Sequence, residues 1–165
     1  MTNKRNQTTK NGDIGENLVA VAMDSIGATY RKQPQKTGRG HKWKPDFAVK
    51  RQGEEWSDAA FIEVKTQYQY GSADVKIAGQ ALRAARMGLH GYFVLITHAH
   101  RDMFSQDTLS DTQWMLEKIG ADIKIIMGTE ALIEELQSKG YGSLTPNTYS
   151  YIHRKQMEAG YVHFR

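Results

Sequence analysis

Asp46, Glu63 and Lys65 are the residues of this chain whose types and spacing could do chemistry. Glu63 and Lys65 lie in the run Ala-Ala-Phe-Ile-Glu-Val-Lys-Thr (59–66), which is apolar, partly β-branched and preceded by Gly53, Ser57 and Asp58, the composition of a strand. Side chains alternate along a strand, so Glu63 and Lys65 share one face, with Cα atoms about 6.6 Å apart, while Ile62 and Val64 turn to the other. Asp-Phe-Ala-Val-Lys (46–50) reads as a second short strand and Arg51-Gln52-Gly53-Glu54 as a turn-like connection, so antiparallel pairing brings Asp46 near Glu63. Two carboxylates that close repel unless a cation lies between them. A hard ion such as magnesium, which takes oxygen ligands and keeps several waters, is the natural occupant. With a lysine on the same face, this is the minimum equipment for hydrolysing a phosphodiester. An Asp after proline is also an ordinary turn residue and Glu-x-Lys an ordinary exposed pair. The apolar setting of Phe61, Ile62 and Val64 favours the chemical reading, because buried charges are costly without a partner or a metal.

The elements that must position this trio are legible on either side of it. Residues 13–26 have the periodicity of a helix ended by Gly27, with Ile14, Leu18, Val21 and Ala22 on one face and Val19 and Met23 widening it. Asp74 can cap a helix over 75–87, with Ile77, Ala78, Ala81, Leu82 and Ala85 as its core stripe and Gln80, Arg83 and Met87 on another. Tyr-Phe-Val-Leu-Ile-Thr (92–97) is a continuous apolar run suited to a buried strand. Residues 111–119 predict a short helix ended by Gly120, with Trp114 in the core. A strand over 122–127 and a helix over 130–138, capped by Thr129 and stopped by Gly140, add a further αβ layer.

Pro45-Asp46, a gap of sixteen residues, then Glu63-Val64-Lys65 resembles the signature of the PD-(D/E)xK nuclease superfamily, which includes restriction endonucleases and Holliday junction resolvases. The resemblance covers about residues 12–97. It implies an α/β fold with a restriction-endonuclease-like core, a central mixed β-sheet flanked by helices in the order α-β-β-β-α-β, followed by extra αβ elements. It implies that Asp46 and Glu63, with the carbonyl of Val64, bind Mg2+, with Mn2+ as a substitute, and that Lys65 acts as base or as electrostatic aid. Family members often carry an acidic residue on the first helix that reaches the metal; Glu16 is the matching position. Asp13 and Glu16 also have capping-box spacing, which would explain Glu16 without a metal. Gln80 matches a position that some branches place beside the phosphates, though a solvated polar side chain is the plainer explanation of it.

Charge is unevenly placed. The formal net charge is +4, yet residues 31–51 hold eight basic residues, Lys36, Arg39, Lys42 and Lys44 among them, against one acid, Asp46. Gly38, Gly40, His41 and Trp43 are interleaved with these charges. The segment therefore reads as a flexible loop that could meet a polyanion, with Lys36, Arg39, His41, Lys42 and Lys44 as DNA contacts and a ring for stacking. A solvated loop is the plainer alternative. His98-Ala99-His100 lacks a third ligand at a recognisable spacing, so it reads as loop or as substrate contact.

Length and composition bound the rest. The 165 residues, 39% hydrophobic, make one domain: a flexible basic tail (1–11), the core (12–140) and an aromatic and basic extension (141–165). The extension suits a DNA-contacting arm, a subunit interface or a terminal helix over 148–158. With no cysteine, disulfides, zinc-thiolate sites and cysteine nucleophiles are excluded. No apolar run reaches spanning length and the start is polar, so an intracellular protein is expected, cytoplasmic or, for a virus, inside the host cell. The expectation is a magnesium-dependent endodeoxyribonuclease, sequence-specific or structure-specific, acting as a homodimer or higher symmetric oligomer on DNA. The alternative is a non-catalytic DNA-binding module that keeps the fold.

Overall fold

Ala60–Gln67, the apolar run that carries Glu63 and Lys65, is the middle strand of a five-stranded mixed sheet. The computed structural model describes the backbone of residues 4–67, 73–98, 104–161 and 163–165, and side chains from residue 13 onward. Helix α1 is Lys4–Ser25, followed by strands β1 (Thr29–Lys32), β2 (Lys36–Gly38), β3 (His41–Trp43), β4 (Phe47–Lys50) and β5 (Ala60–Gln67). Then come α2 (Ala73–Arg86), β6 (Gly91–Thr97), α3 (Gln106–Lys118), β7 (Ile123–Met127), α4 (Gly128–Ser138) and α5 (Thr148–Ala159). The sheet order is β1-β4-β5-β6-β7, antiparallel from β1 to β5 and parallel from β5 to β7, while β2 and β3 form a separate hairpin.

The fold is α/β, with a central mixed sheet flanked by helices. Its sheet strands and first helices follow the expected order, with the β2–β3 hairpin inserted. Alternation along β5 divides two cores. Ile62 and Val64 face α1, α4 and α5 through Leu18, Met23, Leu132, Ile133 and Ile152. Phe61 faces α2 and α3 through Ile77, Ala81, Leu109 and Leu116. A strand covered on both faces reads as a nearly continuous apolar run, which β5 and β6 both do.

Several expectations are corrected. Helix α1 begins at Lys4, so residues 4–11, read as a tail, continue the helix, and Asp13 lies inside it rather than capping it. Elongation costs little once the packed turns of 14–25 are formed, and no proline intervenes. Asp74 is not a cap either. It is buried in the first turn of α2, accepting from the amides of Val75 (3.2 Å) and Ser105 (3.2 Å), which ties α2 to the start of α3. Ala84 replaces Leu82 in the core stripe, and Leu82 is exposed, as is Trp114 on α3. Thr129 lies inside α4, whose cap position is Met127. The C-terminal extension packs helix α5 on the core through Thr148 and Ile152, the plainest of its three readings.

The outer edge of β7 has an unusual partner. The carboxamide of Gln113 on α3 accepts from the Ile125 amide (2.9 Å) and donates to the Ile123 carbonyl (3.4 Å).

Candidate active site

The β4–β5 ladder ends at the pair Phe47 and Ile62, which sets Asp46 opposite Glu63 just beyond it. There side chains replace the ladder. The Val64 amide donates to Asp46 Oδ2 (2.7 Å), and the Asp46 amide donates to Glu63 Oε2 (3.3 Å). Lys65 Nζ donates to Glu63 Oε1 at 2.6 Å, so the two share a face as their spacing requires. A residue's amide and carbonyl point to the same edge of a strand, so the Val64 carbonyl also opens toward Asp46.

Glu16 completes the group from α1. Helix α1 lies on the Val64 and Thr66 side of β5, and the contact is closest at Gly15. A Cβ there would collide with Thr66 Oγ1 and press on Val64 Cγ1 at 3.1 Å and Thr66 Cβ at 3.3 Å. Glycine at this position lets the helix settle onto the strand, and the next residue, Glu16, reaches Asp46, with which it shares a side-chain hydrogen bond. Because Asp13 caps nothing, the capping-box account of Glu16 fails. Gly15 was not singled out by sequence; the signal was a glycine, costly within a helix, directly before an acidic residue.

Three carboxyl groups thus meet one lysine, and their acidities record it. Glu16 is raised from its ordinary 4.5 to about 6, first by burial and then by the charge of Asp46 beside it. Burial also raises Asp46, against the opposing pull of the Val64 amide and the Lys65 charge. Glu63, 7% exposed, is raised by burial and by Asp46 despite its contact with Lys65. Among the described residues no three His, Asp or Glu side chains stand in a ready-made metal cage. The donor set is nonetheless all oxygen, with negative charge in excess of its one lysine, which fits a hard divalent cation.

The basic segment is not a flexible loop. It contains β1 and the β2–β3 hairpin, closed by a turn with positive φ at Arg39 (47°) and Gly40 (81°), the two-residue geometry that matches strand twist. Lys36, expected on DNA, is only 6% exposed and donates to the carbonyls of Ala59 (2.7 Å) and Trp56 (3.2 Å). Burial lowers its pKa, because the charged ammonium is partly desolvated. Trp43, expected to be free for stacking, packs instead on Phe61 (5.0 Å) and Phe93 (6.4 Å).

These contacts, with Gly38 close against Met87 at the end of α2, direct the hairpin toward the end of the sheet where β5 and β6 begin. Lys44 is exposed, two residues before Asp46. Arg39 and Lys42 are exposed and His41 half-buried along the hairpin. Gln80 is half-buried, and its Oε1 is closed off from solvent without a hydrogen-bond partner among the described residues, so the solvated account of it fails. His98 stacks on His163 at 5.7 Å; His100 lies outside the described residues.

No helix among the described residues is long and apolar enough to cross a membrane. No protein-family model and no curated protein matches the chain. A solved structure described as a protein of unknown function, AF1548, aligns with a TM-score of 0.45 and 18% identity, over 90% of this chain and 78% of that one.

Proposed function

We propose that the chain is a magnesium-dependent endodeoxyribonuclease of the PD-(D/E)xK type, with the restriction-endonuclease-like core that this implies. The observation that carries the reading is the meeting of Glu16, Asp46, Glu63 and Lys65 from α1, the residue before β4, and β5.

Asp46 and Glu63, with the Val64 carbonyl and Glu16, are the residues that would hold Mg2+ or Mn2+. When bound, such an ion supplies a Lewis acid for the phosphate and a more acidic water. Glu16 holds its proton to about pH 6 and must release it before serving as a ligand. Lys65, now on Glu63, is placed to orient the attacking water or to stabilise charge that develops on the phosphate oxygens. Lys44, two residues before Asp46, supplies a cation for the DNA backbone, and Arg39 and Lys42 extend the positive surface along the hairpin toward the end of the sheet where β5 and β6 begin. The protein would act as a homodimer, so that each strand meets one site.

Supercoiled plasmid incubated with Mg2+, and separately with a chelator, tests this. Nicking or linearisation only with the metal is expected. Metal-independent binding without cleavage would sink the enzyme and leave the DNA-binding module. Cleavage of a four-way junction in preference to linear duplex would mark a structure-specific enzyme; discrete bands from linear DNA would mark a sequence reader.

A further inference from the structure

On β1, the outer strand of the sheet, Arg31 is exposed and its guanidinium carbon lies 4.1 Å over the ring of half-buried Trp56. Lys50 Nζ is 5.2 Å from the same ring and donates to the Glu54 carbonyl. Strand register decides which way Arg31 faces. It pairs with Ala48, and Ala48 pairs with Phe61, so all three turn to one face of the sheet. Lys50, two residues after Ala48, shares that face, as do Glu63 and Lys65, two and four residues after Phe61. Arg31 thus stands on the face of Glu63 and Lys65, its Cα about 12 Å from that of Glu63, two strands across and two residues along.

A guanidinium laid on an indole uses its π face and leaves its N–H groups, which point outward in the plane, free to bind. Among the described residues no carboxylate pairs with Arg31 and no acceptor takes its guanidinium N–H groups. In the connection that carries Trp56, Glu54 is held by Arg51 at 2.7 Å and the charge of Asp58 acts on Lys36. Glu55 is exposed there, one acid beside the two cations Arg31 and Lys50. The ring therefore fixes the arginine without neutralising it. Part of the rotamer freedom that a free surface arginine loses on binding is already spent.

We infer that the stack of Arg31 on Trp56 is a phosphate anchor of the DNA site. Its forked N–H groups hold a phosphodiester of the bound strand other than the one at Asp46 and Glu63. The inference rests on reading the substrate as DNA, and it extends the substrate surface from the hairpin onto the outer strand. One strand of a duplex sets its phosphates about 3.4 Å apart along the axis, so anchor and cluster lie within about four nucleotides of each other. Trp56 also ties the anchor to the basic hairpin, since its carbonyl accepts from Lys36 at 3.2 Å. A phosphate contact carries no base information, so the anchor contributes affinity alike to every sequence.

Fluorescence anisotropy with labelled duplexes of two unrelated sequences, in a chelator so that nothing is cut, tests it across a salt series. Arg31→Ala is expected to weaken binding about fivefold to tenfold at about 0.1 M salt, equally for both duplexes, and to make the slope of log affinity against log salt shallower by about one. Arg31→Lys keeps the charge and loses the fork, and Trp56→Leu frees the guanidinium; each should keep the slope and lose part of the affinity. In plasmid cleavage with Mg2+, Arg31→Ala should raise KM by a similar factor and leave kcat within about twofold, because the anchor is remote from the bond that breaks. Unchanged affinity and slope in Arg31→Ala, while wild-type protein cuts plasmid, would overturn the anchor and leave the nuclease standing. Wild-type protein that binds DNA and never cuts it, with the slope still shallower in Arg31→Ala, would overturn the nuclease and keep the anchor. In Arg31→Ala, a loss of affinity at constant slope together with a lower Tm by circular dichroism would make the stack a purely structural contact and overturn the proposal.

Discussion

The two ends of the central sheet make opposite uses of charge. Where β6 and β7 begin, a cleft of about 570 Å³ is lined by Arg51, Tyr92, Lys124, Glu135 and Tyr141 among others. Its charges answer one another. Arg51 pairs with Glu54 at 2.7 Å and lies 4.5 Å over the Tyr141 ring, while Lys124 pairs with Glu135 at 2.7 Å. Burial raises the phenols of Tyr92 and Tyr141, so both stay protonated. At the carboxylate cluster three acids share one lysine, burial raises all three, and Asp46 raises the other two further. The difference teaches that unbalanced charge, more than the size of a cavity, marks where chemistry can be done.

The strongest test of that contrast is to remove one cation from each end. Lys65→Ala should lower the rate of Mg2+-dependent plasmid cleavage at least about 100-fold, the scale of losing one preorganised electrostatic group. Lys124→Ala, at the cleft, should leave that rate within about twofold, since its exposed ion pair contributes only about 0–1 kcal/mol to stability. A comparable loss of cleavage in Lys124→Ala would dissolve the distinction.

Next in size is the fit of α1. Gly15→Ala should cost about 1–3 kcal/mol in urea unfolding, as overpacking does, and weaken Mn2+ binding measured by calorimetry. Adding Thr66→Ala removes the Oγ1 that a new Cβ would strike, and should recover part of both losses. Independent, additive effects of the two substitutions would show that this contact does not position Glu16.

A smaller effect, of opposite sign, is expected at Glu16 itself. A carboxyl whose folded pKa lies above its unfolded value binds its proton more tightly in the folded protein. The stability it contributes is therefore present below pH 4.5 and lost as pH rises to about 6. Glu16→Gln should remove that loss, making the metal-free protein more stable at pH 7 by about 1 kcal/mol after solvent screening, or about 2–4 °C in Tm. The gain should vanish near pH 4. A variant with unchanged pH dependence would show that the acids do not strain one another.

Much of this arrangement was legible in the chain because the β-strand period is strict. Ile62, Glu63, Val64 and Lys65 could alternate in only one way; the register was less legible, because a tight turn at 51–54 would set Asp46 opposite Ala59, whereas the connection runs over 51–59 with a 3-10 turn at Trp56–Asp58 and sets it opposite Glu63. Where helices were concerned, apolar spacing located α2 but not its rotation. Leu82 and Ala84 both suit a buried stripe, and only contact with the sheet puts Ala84 inward. Trp114 was misread for a related reason, since a large ring says nothing about which neighbours will cover it. Lys36 and Trp43 were hidden by composition. A run of cations resembles a solvated loop until a long-range contact at Ala59 buries Lys36 and one at Phe61 half-buries Trp43.

The bond between Gln113 and the edge of β7 bears on how the molecule behaves in crowded solution. A bare sheet edge is a template on which another chain can add strand after strand, the route to fibres. One carboxamide, borrowed from a neighbouring helix, occupies an outward amide and an outward carbonyl of that edge and mimics a single residue of the absent strand. Growth of the sheet is thereby capped by a side chain.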